Sequence, residues 1–190
     1  MISGGSDICG TSYAAAKRHA MLSKIEKEKG PQKNTSIKND KEITFDEADR
    51  QDIQDPHHDG LVITLYIANY FFRRILIDGG SSVNIILVDA LKRMNIPESE
   101  IVRRSSVLIR FNGETKHIVG EIKLPIYIEV VNSIQCFCVV DTLSSYNVIL
   151  GRPWIHEMKA VPSTYHQCVK MSTLWGTVKI IGDQQESKEC

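Results

Sequence analysis

From Leu61 to Ile181 the sequence is broken into short β-branched and aromatic runs, with turn signals about every ten residues. That rhythm constrains the fold more than any other feature, because strands this short bury an apolar face only by pairing with several neighbours. Leu61-Val62-Ile63-Thr64-Leu65-Tyr66-Ile67 and Phe71 to Ile77 flank Ala68-Asn69-Tyr70 and predict a hairpin. Val107 to Phe111 and Lys116 to Glu121 flank Asn112-Gly113, a dipeptide that tolerates the positive φ values of a tight hairpin turn. Leu124 to Val131 with Ile134 to Val140 predict another antiparallel pair. Val148-Ile149-Leu150 predicts a short buried strand, and Val169 to Met171 with Thr177 to Ile181 complete the set. Val88 to Met94, closed by Asn95-Ile96-Pro97, reads as a short helix, as does Trp154 to Met158 after the turn at Gly151-Arg152-Pro153. The expected domain is all-β and barrel-like, with one or two short helices, over residues 55–183. That length is sufficient for a core of its own.

The first sixty residues lack this rhythm. Thr11 or Ser12 caps a predicted helix over residues 13–29, which Gly30-Pro31 stops. Lys17 to Lys41 holds eight Lys/Arg and three acids, whereas Glu42 to Asp59 holds seven acids and one Arg. Opposed charge blocks with few large apolar residues cannot bury enough surface to offset ordering entropy. Residues 1–54 are therefore expected to be a mostly disordered linker, with Ile43-Thr44-Phe45 as a short strand docking onto the domain. Residues 184–190 read as a truncated linker.

Several function classes are excluded at this level. The chain has 190 residues with 23 Lys+Arg against 23 Asp+Glu, so no global basic field exists to hold a polyanion. The basic block at Lys17 to Lys41 reads more simply as a solvated tail, and nucleic acid is not an expected partner. The apolar runs fall short of the roughly 20 residues a membrane helix needs. Met1 to Gly10 lacks the basic segment and apolar core of a secretory signal, so a cytoplasmic or nuclear setting is expected. Five cysteines (Cys9, Cys136, Cys138, Cys168, Cys190) form an odd, widely spaced set, which fits reduced thiols. Cys136 and Cys138 fall on one face of a strand, and His57-His58 has no cysteine pair to join it. No metal and no cofactor is expected.

Chemistry enters at Ile75-Leu76-Ile77-Asp78-Gly79-Gly80-Ser81-Ser82, where an acid ends a wholly apolar strand. Alone, Asp-Gly-Gly is an ordinary turn, and that is its simpler reading. The functional reading is a carboxylate on a tight loop whose glycines let a second backbone approach closely. Some seventy residues later Ile149-Leu150-Gly151-Arg152 repeats the logic: apolar residues, a glycine, then a helical turn. With the Asn112-Gly113-Glu114 hairpin between them, the order is acid loop, flap, then an apolar-apolar-Gly loop.

That order resembles the retropepsin-type aspartic proteases, and the wording is similar to the protease region of gypsy-type retrotransposon gag-pol polyproteins of plants. The resemblance rests on Pro56 to Ile63, Ile67 to Tyr70, Asp78 to Ile85, Phe111 to Glu114, Tyr146 to Trp154, Ala160 to His166 and Gly182 to Gln184. Ile2-Ser3-Gly4-Gly5 and Ala15-Ala16-Lys17-Arg18 resemble the spacer that precedes the protease in that family. The family's sequence would continue past the position of Cys190 toward a reverse transcriptase, so the chain is expected to be a piece of a longer polyprotein.

The resemblance implies a retropepsin-like barrel and an aspartic endopeptidase with Asp78 as catalytic acid. It implies an active-site loop of Gly79, Gly80, Ser81 and Ser82, a flap of Asn112, Gly113 and Glu114, and a second loop of Ile149, Leu150, Gly151 and Arg152. A two-carboxylate mechanism needs two such acids, and Asp141-Thr142-Leu143 lacks the following glycine. A homodimer acting on a polypeptide substrate follows. One departure stands out, since Gly79 occupies the place where the family carries Ser or Thr. That departure feeds the rival reading, a catalytically decayed relic serving only as a structural or binding module. Among other residues, His57 and His58 are expected at the surface, Trp154 in the core and Trp175 in a turn. Arg152 is expected to pair with an acid near the dimer interface and not to touch substrate. Ser81 and Ser82 lack the glycine-flanked elbow and placed histidine of a serine nucleophile.

Overall fold

The computed structural model describes residues 42–50, 52–104, 107–109, 115–129 and 131–190. The expected helix over 13–29, the basic block and the flap tip at Asn112, Gly113 and Glu114 lie outside the described residues.

Six strands close into a barrel: β1 (Val62–Ile67), β2 (Tyr70–Ile77), β3 (Asn84–Leu87), β6 (Gly120–Ile128), β7 (Val131–Val140) and β8 (Val148–Leu150), in the order β1-β2-β8-β3-β7-β6. Four of the pairings are antiparallel, while β2 runs parallel to β8 and β3 parallel to β7. Between β3 and β6 lies the two-stranded ladder β4 (Val107–Ile109) and β5 (Thr115–His117). β9 (Ala160–Ser163), β10 (Cys168–Thr173) and β11 (Gly176–Ile181) form a separate sheet. Among the described residues there are three short α-helices, α1 (Val88–Arg93), α2 (Arg152–Glu157) and α3 (Gln184–Glu189).

Alternation along the strands turns Ile63, Ile67, Ile75, Ile122, Leu124, Ile126 and Phe137 inward, where all are essentially inaccessible. Trp154 on α2 is 0% exposed and packs into the same cluster, as expected of a core anchor. Trp175 is 70% exposed between β10 and β11, in the expected turn. Phe137 faces the core while Cys136 and Cys138 share the opposite face of β7, and the four described cysteines are free thiols.

The structure differs from the sequence expectation in several places. β3 and β9 appear where no strand was expected, because each is only four residues long and β3 begins with a polar residue. The β6–β7 turn falls at Glu129 (φ 43°), ahead of Asn132-Ser133, which continue the strand. Ser133 resembles a turn residue but is buried, and it is satisfied by donating to Glu157 Oε1 at 2.9 Å.

The linker expected over 1–54 does not extend to its described part, and Ile43-Thr44-Phe45 form no strand. Instead, residues 44–50 lie as a strap on the sheet β9–β11. The Lys170 ammonium donates to Thr44 O at 2.8 Å, and Phe45 stacks on His166 at 5.1 Å. Asp49 sits 2.7 Å from both Lys170 Nζ and Lys179 Nζ. Asp49, one acid of the block that looked solvated, is thus paired with lysines contributed from more than a hundred residues away.

Residues 184–190 are likewise not a loose linker. Asp183 caps α3 by accepting from the Glu186 amide at 3.0 Å, and Glu186 pairs with Arg74 at 2.6 Å on β2.

Candidate active site

Asp78 stands at the end of β2, where the parallel pairing with β8 brings the two glycine loops side by side. The ladder Ile75↔Val148, Leu76↔Ile149, Ile77↔Leu150 continues into one further bond, from the Asp78 amide to Leu150 O at 3.0 Å. The carboxylate is half-buried, and its Oδ1 accepts from the Gly80 amide at 2.8 Å. The Ser81 amide returns to Asp78 O at 3.1 Å, closing a tight turn. The carboxylate is thereby presented on a loop stiffened by backbone bonds.

The second loop is threaded against the first. The Arg152 amide donates to Ser81 O at 3.0 Å, and Arg152 Nη1 reaches Gly79 O at 3.1 Å and Gly80 O at 2.9 Å. Gly151 has to be glycine, since a Cβ there would lie 2.3 Å from Val83 O and 2.8 Å from Ser81 O. Ile149 is half-buried and Leu150 buried, which anchors the loop in the barrel. Within the chain, Arg152 therefore binds backbone carbonyls of the acid loop.

Asn84, at the start of β3, is a further member of the site that the sequence pattern did not single out. It is 1% exposed, accepts from the Gly151 amide at 3.0 Å, and donates to Gln135 Oε1 at 3.1 Å and Cys136 O at 3.2 Å. The signal that could have found it is an amide residue set in the apolar run Val83-Asn84-Ile85-Ile86-Leu87. Buried polar side chains are retained where they are fully bonded, and this one is.

The remaining residues fall elsewhere. Ser81 Oγ donates to Val83 O at 2.7 Å, and Ser82 is exposed at the end of the loop. Asp141 lies exposed beyond the end of β7. His58 is exposed, but the His57 side chain is 5% exposed, contrary to the surface position expected. Its two ring nitrogens each lie 3.9 Å from a carboxylate, those of Asp55 and Asp59, without a hydrogen bond. A cavity of about 640 Å³ opens between the strap and the C-terminal elements, lined by Asp49, Gln54, Gln167, Lys179 and Gln184 among others, and no residue of the Asp78 loop lines it. Among the described residues no helix is long and apolar enough to cross a membrane.

What the described residues bring together is one half-buried carboxylate, bonded by a backbone amide of its own loop and braced by a glycine-bearing second loop.

No protein-family model matches the chain, and no curated protein sequence does. Solved structures do. The retroviral protease-like domain of Ddi1 from Leishmania major superposes with a TM-score of 0.53 at 13% identity, covering 66% of this chain and 94% of that one. EIAV protease complexed with the inhibitor HBY-793 gives a TM-score of 0.45 at 13% identity, over 58% of this chain and 99% of that one. A retropepsin-like aspartic protease from Rickettsia conorii gives 0.42 at 11% identity, over 63% and 80%. At 13% identity the likeness to the Ddi1 domain speaks for the fold alone, and the fold of this chain is retropepsin-like.

Proposed function

We propose that this chain is an aspartic endopeptidase that acts as a homodimer, each copy contributing Asp78, and that its substrate is a retrotransposon polyprotein of the gypsy type. The observation that carries the reading is the Asp78 loop itself. A half-buried carboxylate is fixed by the Gly80 amide at 2.8 Å and buttressed by the Leu150-Gly151-Arg152 loop. The sequence resemblance over Asp78 to Ile85 and Tyr146 to Trp154 supports the polyprotein setting.

The chemistry follows from pairing two such loops. Carboxyls about 3 Å apart cannot both ionise, so the pair holds one proton between them. The ionised member takes a proton from water, whose oxygen bonds to the peptide carbonyl carbon. The protonated member meanwhile hydrogen-bonds the carbonyl oxygen. When the C–N bond breaks, a proton passes to the departing nitrogen and the pair returns to its starting state. The β4–β5 ladder is the arm of a flap that closes over the peptide and excludes water.

The test is cleavage of a gypsy-type polyprotein substrate by the native protein and by Asp78→Asn, which keeps the shape of the side chain and removes the group that ionises. The expected result is cleavage strongest at mildly acidic pH, where the pair is singly protonated, and none from the variant despite an unchanged fold. Cleavage that persists in Asp78→Asn contradicts the reading. Substrate binding without cleavage by the native protein would favour the non-catalytic module, for which the absent hydroxyl at Gly79 is the motivating feature.

A further inference from the structure

One peptide unit, between Gly79 and Gly80, is held from both of its edges. Its N–H donates to Asp78 Oδ1 at 2.8 Å, and its C=O accepts from Arg152 Nη1 at 3.1 Å. Both flanking residues lack a Cβ, and a Cβ built on Gly79 meets no atom of the described residues within 4 Å, so among these residues side-chain packing does not fix the unit's orientation. A rotation about its long axis would swing the N–H off the carboxylate and the C=O off the arginine together. The donor on the far edge is well anchored. Arg152 opens α2, whose Trp154 and Ile155 are buried, and its own amide bonds Ser81 O at 3.0 Å. The same Nη1 lies 2.9 Å from Gly80 O, so one guanidinium nitrogen pins two successive carbonyls of the loop.

We propose that Arg152 is a positioning residue for Asp78. Its guanidinium holds the Gly79–Gly80 peptide in the one orientation that keeps the Gly80 amide on the carboxylate, doing from the adjacent loop what a hydroxyl side chain at position 79 is not present to do. The relevance of this to turnover rests on the reading of Asp78 as the catalytic acid, whereas the coupling of Arg152 to the carboxylate does not.

The bond from the Gly80 amide to the Asp78 carboxylate is itself the readout. In Arg152→Gln, the Gly80 amide followed by NMR exchanges with solvent about five- to tenfold faster than in the native protein, and kcat falls while KM changes little. Loss of the cation alone would leave the amide bonded, and Gly79→Ala separates the two causes. A methyl group at 79 fits the space the described residues leave and narrows the orientations available to the peptide. The double variant Arg152→Gln/Gly79→Ala therefore recovers part of the protection if orientation is the cause, and none of it if only charge is.

Gly80 amide exchange in Arg152→Gln that coincides with the native rate, or a loss of protection that Gly79→Ala leaves untouched, overturns the proposal. Should the native protein show no Asp78-dependent cleavage while the Gly80 amide behaves as stated, the protease reading fails and the positioning role stands. Asp78-dependent cleavage with an unmoved Gly80 amide does the opposite: the protease reading stands and the positioning role fails.

Discussion

The amide of Gly151 donates to Oδ1 of Asn84 at 3.0 Å, which binds two loops 67 residues apart in sequence into one unit. Asn84 spends its remaining hydrogen-bonding capacity on Gln135 and the backbone of β7, so the acid loop, the brace and the barrel wall meet at this one buried side chain. Replacing it with Leu leaves the Gly151 amide and the Gln135 carbonyl group without this partner. Each orphaned buried group costs about 1–3 kcal/mol, and a total loss of about 3 kcal/mol in chemical denaturation is expected. A loss below about 0.5 kcal/mol, the size of an ordinary surface change, would show that this network does not hold the loops.

The two glycines nearest the carboxylate respond in opposite ways. Gly151→Ala forces a methyl group to within 2.3 Å of Val83 O, so the loops must part, at a cost of about 1–3 kcal/mol and with loss of activity. At Gly79 an added Cβ meets no atom of the described residues within 4 Å, and Gly79→Ser returns a hydroxyl to the loop. That variant should fold normally and tighten the dimer or raise activity. Sedimentation and cleavage rates measured side by side check both. A Gly79→Ser protein that is less active and no more dimeric would show that this loop has adapted to glycine.

The strap gives a pH prediction. Hydrogen bonds from Lys170 first, and Lys179 next, hold the Asp49 carboxyl well below the usual carboxylate range. A value depressed in the folded state stabilises fully above the unfolded value of about 4, and that contribution fades as pH falls below it. Thermal melts of the native protein and Asp49→Asn should differ by a constant amount at neutral pH and converge on acidification below about pH 4. A gap that widens in acid would contradict the assigned role of the strap's ion pairs.

The barrel was legible because its strands are short β-branched and aromatic runs set off by turn residues, as Leu61 to Ile67 and Phe71 to Ile77 are. The Asp78 and Gly151 loops were legible from their order along the chain, an acid loop, a hairpin, then an apolar-apolar-Gly loop, although their mutual threading was not. Asn84 gave only one local sign, an amide inside an apolar run, and its role was hidden because its partners lie 51 and 67 residues away, which no local pattern encodes. The strap was obscured for a related reason. A run of acids beside a run of bases reads as solvated until Lys170 and Lys179, far downstream, are placed beneath Asp49. Arg152 looked like half of an ion pair, and only the folded loop reveals two carbonyls in reach of its guanidinium.

The most direct test of the central claim, that one chain supplies one half of the catalytic centre, is a mixing titration. Native protein at fixed concentration is equilibrated with increasing Asp78→Asn chains, under conditions where all chains are dimeric and subunits exchange. Random pairing then places native chains in mixed dimers that carry a single ionisable carboxyl. Activity per native chain should fall by about half at an equal mixture and to about one tenth at a ninefold excess. Activity per native chain that stays constant across the titration, with exchange demonstrated, would contradict the claim outright.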